Sequence, residues 1–358
     1  MGTAAFSPDY GAARARFRSG ALALGCELEG VATGLRGPDG DELTIDIARM
    51  GADDARAAVV VSSGQHGVEG FLGSAIQATL LEDTLGGWRA PPGLSLVLIH
   101  AINPFGFAWL RRVDAENIDV NRNFLADGEP YAGSPDGYDA LDPLLNPTTP
   151  PGGFDPFWVQ AGLQVIRHGM PRLRAAVAGG QYDYPRGLFY GGSGPSLSRR
   201  LLQAHLPRWI GGATRVLHVD VHSGLGKRGG VKLFVDHAPD APGFRRLSDM
   251  FGPDVEPWTE KATSYPIRGG MGAWCKARFG DGYDLLCAEF GTVAPLRVLQ
   301  ALRDENRATW TLPTGHPRLM AARERLKEAF VPRDPAWRET VVGLGVDLVT
   351  RSLDAAGA

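Results

Sequence analysis

Six short apolar runs, rich in β-branched residues, set the main constraint on this chain. They lie at 42–48 (ELTIDIA), 57–63 (AAVVVSS), 94–102 (LSLVLIHAI), 215–221 (RVLHVDV), 231–236 (VKLFVD) and 285–290 (LLCAEF). Apolar runs of this length, bounded by turn residues, read as strands buried on both faces. Such strands belong to a sheet that carries helices on both sides. Helical patterns lie between and after them. One follows Glu69 (FLGSAIQATLLEDTL), one starts at the N-cap candidate Ser196, and others fit 295–309, 316–330 and 335–353. The expected fold is a three-layer α/β/α sandwich with a mixed, mostly parallel central sheet.

The segment 125–157 shows little periodicity and is rich in Gly, Pro, Asp and Tyr. A second irregular stretch covers 179–196. Long irregular stretches within a compact domain are usually lids or binding loops. The expectation is one catalytic domain over 1–358, with a lid or insertion at about 125–195 and a C-terminal helical segment at 316–353. That last segment could cap the domain or form a dimer contact, so a homo-oligomer stays open.

Charge and cysteine content exclude several classes. The net charge is −3, so neither nucleic acid nor an anionic membrane is expected as a partner. Cys26, Cys275 and Cys287 form no C-x-x-C pair, which argues against a disulfide scaffold or a cysteine zinc site. The N-terminus carries no apolar signal-like run, and no stretch reaches the length of a membrane span. A cytoplasmic location is the expectation.

Four pieces carry chemistry. In VVVSSGQHGVEG a strand runs into His66 and Glu69, which face one side of a tight turn or helix start. Zinc accepts both imidazole nitrogen and carboxylate oxygen, so the pair suits a metal, although alone it fits a surface pair equally well. In RVLHVDVHSGLG strand alternation puts His218, Asp220 and His222 on one face, with His222 at the carboxyl end. Ligands of open α/β sheets bind at that end. His218 reads as a hydrogen-bonded core histidine, and Asp220 as a partner of His222 or a buried structural acid. The third piece, AINPFGFAWLRRVDAENIDVNRNF, holds Arg111, Arg112, Asp119, Asn121 and Arg122. Arg and Asn together suit a substrate carboxylate. The fourth is Glu289, an acid inside the apolar strand YDLLCAEF. Burial raises such a carboxyl into the range of a proton shuttle, unless it is an ion-paired structural acid.

Taken in order, His66-x-x-Glu69, Asn103–Pro104, Arg112, Asp119-x-Asn121–Arg122–Asn123–Phe124, Asp220-x-His222–Ser223 and Glu289 resemble the zinc metallocarboxypeptidase superfamily. That superfamily includes the aspartoacylase and succinylglutamate desuccinylase branch. The resemblance covers roughly 57–300 and is nearest an uncharacterised bacterial subgroup, which the Gly-Gln-Tyr and Phe-Tyr-Gly-Gly strings also fit. It implies one zinc per chain on His66, Glu69 and His222, with Asp119 behind His66. It implies Glu289 as general base and Arg112, or else Arg111, at the oxyanion. Asn121 and Arg122 would grip a carboxylate on a small-molecule or short-peptide substrate. A tyrosine that closes the site has two candidates, Tyr265 and Tyr283, with no such tyrosine as the third alternative. The implied activity is hydrolysis of an amide or peptide bond, carboxypeptidase-like or amidohydrolase-like. An N-acyl amino acid deacylase and a non-catalytic binding protein are the alternatives. A serine hydrolase would need a G-x-S-x-G elbow, which is absent; Ser62–Ser63–Gly64 is the near miss.

Overall fold

The computed structural model describes residues 2–152, 155–258 and 267–357. Among the described residues, eight strands form one sheet: β1 (Glu27–Arg36), β2 (Glu42–Gly51), β3 (Ala57–Ser63), β4 (Leu94–His100), β5 (Arg215–Ser223), β6 (Val231–Val235), β7 (Val255–Pro257) and β8 (Tyr283–Phe290). Their spatial order is β1-β2-β4-β3-β5-β8-β6-β7. The four central strands, β4, β3, β5 and β8, run parallel; β2 and β6 join them antiparallel.

Among the described residues, twelve helices follow the same chain order. They are α1 (Tyr10–Ala23), α2 (Gly70–Thr79), α3 (Pro104–Ala108), α4 (Tyr138–Leu145), α5 (Phe157–His168), α6 (Met170–Ala178) and α7 (Leu197–Trp209). Then come α8 (Pro242–Phe251), α9 (Met271–Phe279), α10 (Pro295–Thr311), α11 (Pro317–Phe330) and α12 (Pro335–Gly357). Ser196 caps α7, accepting from the Arg199 amide at 3.2 Å.

Alternation along the strands divides the core in two. Val59, Val61, Leu96, Leu98 and Val219 face a layer built from α1, α2 and α12. Ala58, Val60, Val97, Ile99 and Val216 face Leu202 and Leu206 of α7 and Trp274 of α9. Both faces of the sheet are therefore covered, which is why β3 and β4 are buried at every position. The expected three-layer arrangement is what forms.

Three features differ from the sequence expectation. β1 is a polar edge strand whose single buried residue is Val31, so it leaves no apolar run to read. The 125–157 stretch is not wholly irregular, because it contains α4. Tyr138, Leu141 and Leu145 of α4 are buried at helical spacing, a short signal masked by Pro143 and by the Gly/Pro-rich flanks. With α5 and α6, the insertion is largely helical between 138 and 178, whereas 179–196 is an irregular loop with one isolated bridge, Gln181 to Tyr190. Among the described residues no helix is long and apolar enough to cross a membrane.

Candidate metal centre

Parallel pairing brings the carboxyl ends of β3, β5 and β8 to one rim. Ser63 pairs with Val221, and His222 pairs with Glu289. The chain leaves β3 through Gly64 at φ +63°, where a Cβ would meet that of Ala101 at 2.7 Å. It then forms a 3-10 turn over Gly67–Glu69. That turn is fastened to the arginine segment: the Gly67 and Val68 amides donate to the carbonyls of Arg112 and Arg111, at 3.0 and 2.9 Å. Gly67 lies flat on Gly106, and a Cβ there would sit 2.1 Å from the Gly106 carbonyl carbon. Only glycine allows this approach, which sets His66 beside Arg112.

His66, Glu69 and His222 converge. His66 Nδ1 lies 2.9 Å from Glu69 Oε1, His222 Nδ1 lies 3.3 Å from Glu69 Oε2, and the two Nδ1 atoms are 3.2 Å apart. All three residues are buried. The outer nitrogens face carboxylates: His66 Nε2 is 3.0 Å from Asp119 and His222 Nε2 is 2.6 Å from Asp220. An imidazole whose Nε2–H donates to a carboxylate presents a lone pair at Nδ1. Two lone pairs and a carboxylate then point at one another, an arrangement that a cation stabilises. Tetrahedral zinc with bonds of about 2.0–2.1 Å separates its ligand atoms by about 3.3 Å. The observed spacings of 2.9–3.3 Å match that edge.

The electrostatics state the same need. Three buried carboxylates, Glu69, Asp119 and Asp220, and the partly buried Glu289 surround the centre. Burial pushes the Glu69 carboxyl up, but the His66 and His222 imidazoles outweigh it and hold it well below the usual range. Asp119 behaves alike: burial opposes, while Arg112, His66 and Arg122 hold it down. For His222, burial works against the charged form, yet Cys287 and Asp220 carry the imidazole well above its ordinary value. The shift reflects the negative charge around the centre, which a metal ion would offset. Glu289 goes the other way. Burial raises it to about 7, against the pull of His222 and with the Glu69 carboxylate adding to the rise.

Arg112 faces this centre. Its Nη1 donates to Asp119 at 3.1 Å, and its Nη2 lies 2.7 Å from His66 Nε2. Arg111 turns away to Glu305 and Asn117, at 2.8 and 3.0 Å. Of the two arginines the sequence left open, only Arg112 shares a cavity wall with Glu69 and Glu289. Asn121 and Arg122 are buried behind Asp119 rather than on that wall. The Asn121 carboxamide oxygen accepts from the Met271 amide at 3.1 Å. Arg122 donates to the Ala178 and Asn121 carbonyls, at 2.9 and 2.8 Å. Tyr283 is buried at the opposite end of β8, bonded to His218 Nδ1 at 2.8 Å, and does not reach the centre. Tyr265 lies outside the described residues.

Three contributors escaped the sequence reading. Ser62 places its hydroxyl 2.7 Å from His218 Nε2 and donates to Asp220. This is the serine–histidine contact a serine hydrolase needs, but both residues are buried and neither lines the cavity. Burial also drops the His218 imidazole to about 4, keeping it neutral. Ser62 therefore steadies Asp220 behind His222. The β3–β5 register that brings them together leaves no mark in a single sequence. Cys287 neighbours His222 and Glu289 on the rim. Gln65 is fully buried beside His66, and neither end of its amide has a partner among the described residues. Its only sequence signal was its place in the strand-to-turn segment.

A carboxylate behind a ligating imidazole fixes the tautomer and raises ligand basicity. Asp119→Asn is expected to weaken metal binding by about 10–100-fold, as read by competition with a chelating dye.

No curated protein matches the sequence. Among solved structures, the chain is similar to bovine thrombin-activatable fibrinolysis inhibitor, solved in complex with tick carboxypeptidase inhibitor. The TM-score is 0.48 at 11% identity, covering 96% of this chain and 98% of that one. It is also similar to carboxypeptidase A from Helicoverpa armigera, with TM-score 0.45, 8% identity and coverage of 90% and 74%. A metallo-carboxypeptidase from Pseudomonas aeruginosa gives 0.40, 14%, and 92% and 68%. Likenesses this distant leave the chemistry to be read from the residues. A family model described as "Protein of unknown function (DUF2817)" matches residues 6–343, nearly the whole chain, and the protein belongs to that family.

Proposed function

We propose that the protein is a zinc-dependent hydrolase that cleaves an amide or peptide bond with metal-activated water. The observation that carries this reading is the His66–Glu69–His222 triangle, sized for a tetrahedral ion, with Glu289 beside it on the same rim. A zinc ion held there acidifies a water and polarises the scissile carbonyl.

The chain's own residues do the rest. The Glu289 carboxylate takes the water proton and returns it to the leaving nitrogen. A group near neutrality can do both, and the raised Glu289 carboxyl supports that role. The Arg112 guanidinium, fixed by Asp119, offers hydrogen bonds to the oxygen that becomes negative in the transition state. Asp119 and Asp220 hold the two imidazoles in the ligating tautomer.

The pH profile tests the assignment of the base. Protonated Glu289 cannot accept a proton, so kcat/KM falls as pH drops through its pKa. That value is about 7 in the protein alone. A cation nearby favours the carboxylate, so the acidic limb of the zinc-loaded enzyme is expected below pH 7. Glu289→Asp should keep a limb at a shifted position. A rate that is flat with pH down to 4 in the wild type would remove Glu289 from this role.

A further inference from the structure

We infer that the substrate carries an uncharged apolar group beside the scissile bond, held by the helices of the 138–178 insertion. The inference rests on the hydrolase reading above and names the substrate class of that site.

A cavity of about 160 Å³ opens directly from Glu69, Arg112 and Glu289. Away from that rim its walls are apolar except for the uncharged Gln164 of α5. Leu145 comes from α4, Val165 from α5, Val177 from α6 and Leu299 and Leu302 from α10, with Phe330 closing the side next to Ser223. A hydrocarbon-lined cavity of about 150 Å³ accepts benzene and stays dry otherwise. The size and lining therefore suit a phenyl ring or a branched aliphatic chain.

The charges exclude an acidic group in the same place. Among the described residues, the one cation on the cavity wall is Arg112, which is already paired with Asp119. Asn121 and Arg122 are off the wall, and their bonds at Met271, Ala178 and the Asn121 carbonyl are to backbone. A carboxylate seated among Leu145, Val165 and Leu299 would lose its hydration with no charge to replace it. The insertion helices thus build a pocket for hydrocarbon, not a clamp for an acid.

Calorimetry on the zinc-loaded Glu289→Gln chain tests this without turnover. The ligands are amides of one skeleton bearing methyl, phenyl or carboxyphenyl, on the acyl side in one series and on the nitrogen side in a second. Phenyl is expected to bind at least about tenfold tighter than methyl in one series. Carboxyphenyl is expected to bind at least about tenfold more weakly than phenyl. Val165→Trp on α5 and Leu299→Trp on α10 fill the cavity from two sides. Each is expected to cost phenyl binding about tenfold or more and to leave methyl binding and metal content unchanged. Carboxyphenyl binding as tightly as phenyl in both series overturns the inference. So does full phenyl binding in both tryptophan variants when they keep the wild-type Tm. Wild-type turnover of the phenyl amides is measured separately. Selective phenyl binding without turnover supports the pocket and counts against the hydrolase reading alone.

Discussion

Glu289→Gln is expected to lower kcat by about 10²–10⁴-fold while bound zinc stays at one per chain. The two halves of that result belong together. Glu289 stands opposite His222 in the β5–β8 register, but the ligand triangle closes without it. Its Oε2 has no hydrogen-bond partner among the described residues, although the atom is buried. A carboxyl with a buried, unmet oxygen costs stability unless something else uses it. Glutamine keeps the shape and removes the capacity to accept a proton. The substitution should therefore leave Tm unchanged or slightly raised. Steady-state kinetics and elemental analysis on the same preparation check both halves. Loss of zinc alongside activity would make Glu289 a ligand instead of a base.

His222→Ala is expected to have the larger effect on the molecule as a whole. It removes one corner of the triangle, so zinc and activity are lost together. It also strands two buried acids. Glu69 keeps a bond from the Ser223 amide at 2.9 Å and the contact with His66, but loses its second imidazole. Asp220 keeps Ser62 and loses the 2.6 Å partner that holds its carboxyl down. Removing one member of a buried charged pair costs about 3–5 kcal/mol. A clear fall in Tm is expected, well beyond that of chelated wild type. Ser62→Ala provides the contrast. It removes a hydrogen bond behind Asp220 without touching a ligand, so zinc affinity should weaken while zinc still binds. Thermal melts with and without chelator separate the three cases.

Much of this arrangement was legible in the sequence. The central strands announced themselves because burial on both faces demands continuous apolar runs, as in AAVVVSS and LSLVLIH. Residues that had to be polar inside those runs, such as His222 and Glu289, stood out for the same reason. The ordered spacing from His66 to Glu289 did the remainder. What stayed hidden depends on partners far away in the chain. Arg111 and Arg112 are identical by type, and Glu305, 194 residues away, together with Asn117 draws Arg111 from the centre. Asn121 and Arg122 read as substrate contacts because Arg and Asn favour carboxylates. Their contacts include backbone groups at Ala178 and Met271, which no local pattern reveals. The insertion helices were obscured by Gly, Pro and charge at their flanks, although they supply much of the apolar cavity wall.

Binding of one metal ion by His66, Glu69 and His222 underlies the proposed chemistry. It is tested most directly by the metal content of protein purified without chelator and loaded with zinc, compared with His222→Ala treated identically. One zinc per wild-type chain and none in the variant is the expected result. A wild-type chain that retains no transition metal after desalting, or a variant that holds zinc as well as the wild type, would contradict it.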